Sequence, residues 1–241
     1  MKRTSEEPVY FRGAPRSVRG FVRVPYGEMG VSPRHVVLVE GARHTGPIAV
    51  QTLARGPVTD VRFALASATP PGQYRGTLTL GEREYGVVAR IDGRTRLVAM
   101  PPRFDLVGEP GARERESVSM LNDGNVAVTI EKTYAVGLFE TSGLDRAIGK
   151  AFRHVGGEGK SRIEAFFDAA AEGYGGIVRI AVDEGAGVLH PGDVRELALT
   201  LHLPDRMRGD RSYFGYLTVA NLVLPVFVHG AGHAVRSETS A

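Results

Sequence analysis

The chain has 241 residues, of which 42% are hydrophobic and 24% are charged, and it contains no cysteine and no tryptophan. This composition supports a hydrophobic core, and it excludes chain-wide disorder, disulfides and cysteine-ligated zinc or iron–sulfur sites. The net charge is +3, yet residues 1–23 alone carry six basic and two acidic side chains. The remainder is therefore close to neutral, which does not favour nucleic-acid binding, because duplex-binding proteins usually carry a basic face on the folded body.

Residues 1–19 are predicted to form a basic N-terminal arm, in which aromatic side chains are interleaved with arginines. Such an arm is either a solvated tail or a segment that docks on an acidic partner or on lipid headgroups. The residues predicted to bind a partner here are Tyr10, Phe11, Arg12, Arg16 and Phe21. No apolar core follows the basic start and no apolar run is long enough to cross a bilayer, so a cytoplasmic location is expected, with peripheral membrane association left open.

Short runs rich in Val, Leu, Ile, Thr and Tyr, separated by Gly, Pro, Asn and Asp, follow the arm and predict β-strands. The predicted strands are 35–40, 48–53, 58–65, 75–80, 85–91, 116–121, 127–135, 177–182, 194–203, 213–219 and 222–228. In the run 194–203, leucine occupies every second position from Leu197, so one face of that strand should be buried. Many short strands at this spacing are typical of a β-sandwich or barrel.

An internal repeat links the two halves of the chain. The pattern Tyr74-x-Gly-x-Leu-Thr recurs at a constant offset as Tyr213-x-Gly-x-Leu-Thr, and each copy is followed by another apolar strand. The motif resembles the closing F–G hairpin of immunoglobulin-like and fibronectin-like sandwiches, although the Cys-Trp-Cys hallmark of antibody domains is absent. The resemblance covers about residues 30–229 and implies a mainly β fold of two tandem antiparallel β-sandwich (Ig-like) domains. Such sandwiches host unrelated functions, so the resemblance implies no activity.

The expected domains are a first sandwich at 20–93 and a second at 95–230, followed by a flexible tail at 231–241. The second is longer because of an insertion at about 141–175, which is predicted to be a helical hairpin. Apolar residues recur there at helical spacing, and Ser161 with Glu164 forms a capping-box pattern. The hairpin covers an open face of the second sandwich, or grips a partner protein or membrane surface, or does both with different faces. The residues predicted to bind a partner are Phe152, Arg153, Lys160, Phe166 and Phe167.

No pattern for catalysis, metal binding or cofactor binding is complete. Gly159-Lys160-Ser161 precedes a helix, but a P-loop needs a glycine where His154 stands. His229 and His233 are separated by two glycines, which disfavours a helical zinc site. There is no Gly-x-Ser-x-Gly nucleophile elbow and no full calcium loop. We therefore predict no catalytic residues, no metal and no cofactor.

These observations favour a non-enzymatic protein–protein interaction or structural accessory subunit of a larger complex, docking through the arm, the hairpin and the sheet edges. One alternative is a ligand-binding or hydrolytic protein with a cleft between the second sandwich and its insertion. The residues that motivate this cleft are His154, Lys160, Asp168, Glu172 and Tyr174. Another alternative is a peripheral membrane protein that uses the basic arm. The partner's identity and any small-molecule ligand stay open.

Overall fold

The structure is a computed structural model, and it describes residues 7–23, 33–40, 43–44, 48–55, 58–81, 83–153 and 161–232. The chain divides into two compact units. The first consists of Met1–Arg96, Asn122–Ala127 and His190–Asp193, and the second of Leu97–Leu121, Val128–Leu189 and Val194–Ala241. Each unit is mainly β and has its own hydrophobic core.

The first unit contains nine strands in one sheet that wraps around a single core. The strands are β1 Val9–Ala14, β2 Ser17–Arg23, β3 Pro33–Glu40, β4 Arg43–His44, β5 Ile48–Ala49, β6 Gln51–Arg55, β7 Val58–Phe63, β8 Gly72–Leu80 and β9 Arg83–Ile91. Their order is β4-β3-β8-β9-β1-β2-β7-β6, with β5 paired to β3. All pairs are antiparallel except β1 with β9. The two halves of this order match the C′CFG and ABED sheets of an immunoglobulin-like sandwich.

The second unit repeats this plan with a helical insertion. Its elements are β10 Leu97–Met100, β11 Phe104–Gly108, β12 Arg113–Asn122, β13 Val128–Ile130, β14 Thr133–Glu140, α1 Gly143–Arg153, α2 Arg162–Glu172, β15 Tyr174–Glu184, β16 Gly187–Leu189, β17 Val194–His202, β18 Ser212–Val219 and β19 Leu222–Gly230. The main sheet has the order β10-β12-β17-β15-β14-β18-β19-β11, and β13 pairs with β16. The last strand again pairs in parallel with an early one, here β19 with β11. The prediction of two tandem Ig-like sandwiches, the second with a helical hairpin, is confirmed.

The tyrosine of the sequence repeat has the same structural role in each unit. Tyr74 and Tyr213 are buried at equivalent places on β8 and β18. The Tyr74 hydroxyl donates to the carbonyl of Pro70, and the Tyr213 hydroxyl accepts from the backbone N–H of Arg208. Each tyrosine therefore ties the start of the closing hairpin to the loop that leads into it.

The glycine of each repeat is required by close strand packing. A Cβ on Gly76 would overlap the carbonyl oxygen of Val37, and a Cβ on Gly215 would overlap that of Gly137. Any larger residue would push apart the neighbouring strands, β3 from β8 and β14 from β18.

The start of the first unit differs from the prediction. Val9–Ala14 and Ser17–Arg23 are not an arm outside the fold but two strands at the middle of the first sheet, and the predicted boundary at residue 19 falls inside β2. The side chains of β2 alternate between buried and exposed, and Val18 and Val22 are buried in the core. Arg19, Phe21 and Arg23 occupy the solvent face at the alternate positions, so a half-buried strand looked like a charged tail.

Candidate functional site

The helical hairpin leaves the second unit between β14 and β15. Glu140, the last residue of β14, is buried and accepts hydrogen bonds from Arg146 of α1 and from Arg211, which precedes β18. Burial alone would favour the neutral form of Glu140. The hydrogen bonds from the two guanidinium groups outweigh that effect and lower the pKa of Glu140 below its ordinary value. The carboxylate therefore stays charged and fixes the first turn of α1 to the sheet.

The predicted capping box at the start of α2 is present. Ser161 accepts from the backbone N–H of Glu164, and the Glu164 carboxylate accepts from the backbone N–H of Ser161. At the other end of the hairpin, a Cβ on Gly143 would lie 3.6 Å from Cα of Gly173. The beginning of α1 is thus next to the end of α2, and the two helices run antiparallel.

The hairpin buries two of its alanines and exposes most of its large apolar side chains. Ala147 of α1 and Ala169 of α2 are buried. Large apolar side chains on both helices are between 40% and 73% exposed, namely Leu144, Ile148, Phe152, Ile163 and Phe167. We call these five residues the hairpin stripe. A helix that packs normally on a core shows the opposite arrangement, with the large apolar residues inside.

Helical geometry places the hairpin stripe on one side of the hairpin. At about 100° per residue, Leu144, Ile148 and Phe152 lie roughly 60–140° around α1 from Ala147, in the direction of increasing residue number. Ile163 and Phe167 lie roughly 120–160° around α2 from Ala169, in the same sense. When two antiparallel helices pack through their alanines, rotation in the same sense carries both sets to the same side. If α1 and α2 pack through Ala147 and Ala169, the exposed apolar side chains lie on one side of the hairpin.

The hairpin residues predicted to bind a partner differ in how exposed they are. Phe152 and Phe167 belong to the hairpin stripe, and Arg153 is exposed. Phe166 is half-buried, with its ring centroid 5.6 Å from that of Phe167. Lys160, like His154, lies outside the described residues. The sequence analysis did not name Leu144, Ile148 and Ile163 as binding residues, because an amphipathic pattern does not show whether another element covers the apolar face.

The aromatic residues of the arm that were predicted to bind a partner are divided between the solvent face and the core. Tyr10 and Phe21 are 70% and 55% exposed on the outer face of β1 and β2. Phe11 is 2% exposed and packs against Phe63, with ring centroids 5.3 Å apart. Its prediction as a docking residue is wrong, because it points to the opposite face of β1 and belongs to the core.

The arginines of the same region are already paired with carboxylates. Arg12 hydrogen-bonds Asp92, and Arg16 hydrogen-bonds Asp123 at 2.6 Å. Arg19 is bound to Asp60, which is 1% exposed and also accepts from Arg62. Hydrogen bonds from Arg19 and then Arg62 lower the pKa of Asp60 to about 2. Three of the six basic side chains that suggested an arm therefore have carboxylate partners within the first unit.

The predicted cleft beside the hairpin is not assembled from the residues that motivated it. Glu172 forms an exposed ion pair with Lys150, and Asp168 is exposed on α2. Tyr174 lines an open groove of about 610 Å³ in the second unit, but the other lining residues come from the strands and loops of the sheet. They are Gly111, Arg113, Gly176, Ile177, Arg179, His202, Leu203, Pro204, Asp205 and Arg206.

The described part of the chain shows neither a metal-type cluster of side chains nor a membrane-crossing helix. No group of three or more His, Asp or Glu side chains there is placed to hold a metal ion. Of the helices in the described ranges, none has the length and apolar character needed to cross a bilayer.

Known proteins resemble this chain only at low sequence identity and low TM-score. No family model and no curated protein matches the chain. Among solved structures, the I9–I11 tandem of titin is 7% identical, with a TM-score of 0.25, and the match covers 94% of this chain and 65% of that one. A protein of unknown function from Porphyromonas gingivalis W83 and a Dpr11 IG1–DIP-gamma complex are each 10% identical, with TM-scores of 0.29 and coverage of 92% and 96%. At these identities and TM-scores, the similarities assign neither a family nor a function. The assignment to tandem Ig-like sandwiches rests on the strand topology.

Proposed function

We propose that this chain is a non-enzymatic interaction subunit, which binds a partner protein through the hairpin stripe. The observation that supports the proposal is the inverted packing of α1 and α2, with alanines inside and Leu144, Ile148, Phe152, Ile163 and Phe167 outside. Contiguous exposed apolar surface on a folded protein typically marks an interaction site. Antiparallel helices that present such a surface suit an apolar groove on another protein.

The energetics of burial favour this interpretation. Removing one large aliphatic or aromatic side chain from water contributes about 1.5–3 kcal/mol. Five such side chains on one surface can therefore supply a large share of the free energy of a stable complex, even after the cost of association. The Glu140 anchor supports the same role, since it fixes the base of the hairpin and limits the entropy lost on docking.

A second contact surface on the first unit is part of the proposal. Tyr10 and Phe21 lie exposed on neighbouring strands, and aromatic side chains are enriched at the centres of interfaces. Arg12 and Arg16 would contribute through the ion pairs that they already form at the edge of this surface. In an accessory subunit, the two surfaces would engage one assembly.

The test uses the untagged chain purified gently from its source cells, with identification of co-migrating chains. We compare the wild type, the double variant Phe152→Ser with Phe167→Ser, and the control Tyr216→Ser. Tyr216 is an exposed aromatic residue on β18, outside the hairpin. We expect the wild type and the control to elute with a defined partner chain, and the double variant to elute alone near 25.9 kDa.

Other outcomes would overturn the proposal. A wild-type chain that elutes alone, or a double variant that keeps its partner, would show that the hairpin stripe does not mediate binding. A complex that contains only this chain would indicate self-association. If the wild type floats with anionic lipid vesicles and the double variant does not, the hairpin stripe binds a membrane surface and not a protein partner.

A further inference from the structure

In the described part of the chain, the outer face of the second unit carries a row of two arginines with a histidine between them. On neighbouring strands β12, β17 and β15, Arg113 is opposite His202, and His202 is opposite Arg179. Arg206 follows β17 and lines the same groove of about 610 Å³. None of the three arginines forms an ion pair or hydrogen bond with another residue in the described part of the chain. Arg113 and Arg179 are therefore two exposed like charges on alternate strands, with His202 between them.

The first unit shows how this fold normally compensates such a row. Arg90, Arg12, Arg19 and Arg62 are successive cross-strand neighbours on β9, β1, β2 and β7. Two carboxylates offset half of the positive charge of these four arginines. Asp92 lies between Arg12 and Arg90, and Asp60 lies between Arg19 and Arg62.

The same arrangement, one carboxylate shared by two arginines, occurs twice more. Glu140 is shared by Arg146 and Arg211, and Asp123 is shared by Arg16 and Arg96. Arg113 and Arg179 are also two arginines on one face of a sheet, but they are two strands apart and share no carboxylate in the described part of the chain. Asp205 is the acidic residue among those lining the groove, and it makes no ion pair with these arginines.

We propose that the groove binds an oxyanion, carboxylate or phosphate, held between Arg113 and Arg179 and above His202. Strands in a sheet are about 4.8 Å apart, so the Cα atoms of the two arginines are separated by roughly 10 Å. Arginine side chains are long enough to span this gap and to contact one anionic group, or two groups of one ligand. The guanidinium fork matches the geometry of both carboxylate and phosphate oxygens.

The rest of the groove defines the class of ligand. Arg206 supplies a third cation, and the ring N–H of His202 can donate a hydrogen bond. Ile177, Leu203 and Pro204 provide an apolar wall. The volume is in the range of small-molecule sites. A small polyanion with at least two oxyanion groups fits this set, and the site is independent of the hairpin stripe.

The test is a titration of the full chain with pyrophosphate and, separately, with citrate at constant ionic strength. Affinity is measured by calorimetry, and the location is measured from backbone amide shifts in NMR spectra. We expect at least one anion to bind and to shift the amides of Arg113, Arg179 and His202. Arg113→Gln and Arg179→Gln should each weaken binding roughly tenfold or more, since each removes a charged hydrogen-bond donor.

The control variant is Arg75→Gln, which removes an exposed arginine from β8 of the first unit. It should leave the affinity unchanged. Binding of pyrophosphate alone would identify a phosphate site, and binding of citrate alone a carboxylate site. Absence of binding by both anions, shifts confined to other residues, or equal losses in all three variants would overturn the proposal.

Discussion

Asp60 is a charged residue whose role in this chain is to stabilise the fold. The carboxylate is buried, and it bridges Arg19 of β2 and Arg62 of its own strand β7, which are opposite each other in the sheet. Without this carboxylate the two guanidinium groups would be adjacent like charges. The residue therefore holds the two middle strands of one half of the first sheet in register.

We predict that Asp60→Asn lowers the melting temperature of the protein, and that the loss depends on pH. The pKa of Asp60 in the folded state is about 2, below its ordinary value of 3.8. Because the folded-state pKa is the lower one, the stabilisation by the carboxylate is fully present above about pH 4. It is lost as the pH falls through about 2.

Thermal melts of wild type and variant across this pH range measure the effect. The difference in melting temperature should be constant at neutral pH and should shrink below pH 4. Asp105→Asn is the control, since Asp105 forms an exposed ion pair with Arg103. A difference for Asp60→Asn that does not change with pH would show that the charge of Asp60 is not what stabilises the sheet.

At the scale of elements, the hairpin is attached through Glu140 and its two arginines. Glu140→Gln leaves Arg146 and Arg211 partly buried without their counter-charge. We expect a loss of about 3 kcal/mol in the free energy of unfolding. Faster amide hydrogen exchange should follow in α1, because the first turn of that helix is released from the sheet.

The matched control is Glu172→Gln, which breaks the exposed ion pair with Lys150 on the same hairpin. Exposed pairs contribute less than about 1 kcal/mol, so this variant should be close to wild type in urea unfolding. Equal losses in both variants would contradict the anchoring role of Glu140.

Elements with strong local signals were predictable from the sequence. The Tyr-x-Gly-x-Leu-Thr repeat located the hairpins β8–β9 and β18–β19, and Ser161 with Glu164 located the start of α2. Strands β1 and β2 were missed because arginines fill their solvent face and made the segment look like a basic tail. In β2 the buried residues Val18, Gly20 and Val22 alternate with these exposed side chains.

The hairpin stripe and the anion site could not be predicted from the sequence, for a different reason. An amphipathic pattern shows that Leu144, Ile148 and Phe152 share a face, but not whether another element covers that face. The row of Arg113, His202 and Arg179 depends on the register of three strands that are distant in sequence. A one-residue shift in register would turn these side chains to the other face. Only the folded structure brings them together.

At the scale of the whole molecule, the chain combines two Ig-like sandwiches with one added element. The sandwiches share their strand plan, and the closing hairpin of each is held by an equivalent tyrosine. The inserted helices are what distinguish the second unit from the first. Because the core of the second unit is formed by the strands and the loops between them, the hairpin is free to present its apolar side chains.

The most direct measurement is photo-crosslinking in source cells from a photoreactive residue placed at Ile148, in the middle of the hairpin stripe. The control position is Tyr216, which is also exposed but lies on β18. If the hairpin docks on a partner, position 148 should yield one defined crosslinked protein and position 216 should not. No adduct from position 148, or the same adducts from both positions, would contradict the proposed role of the hairpin.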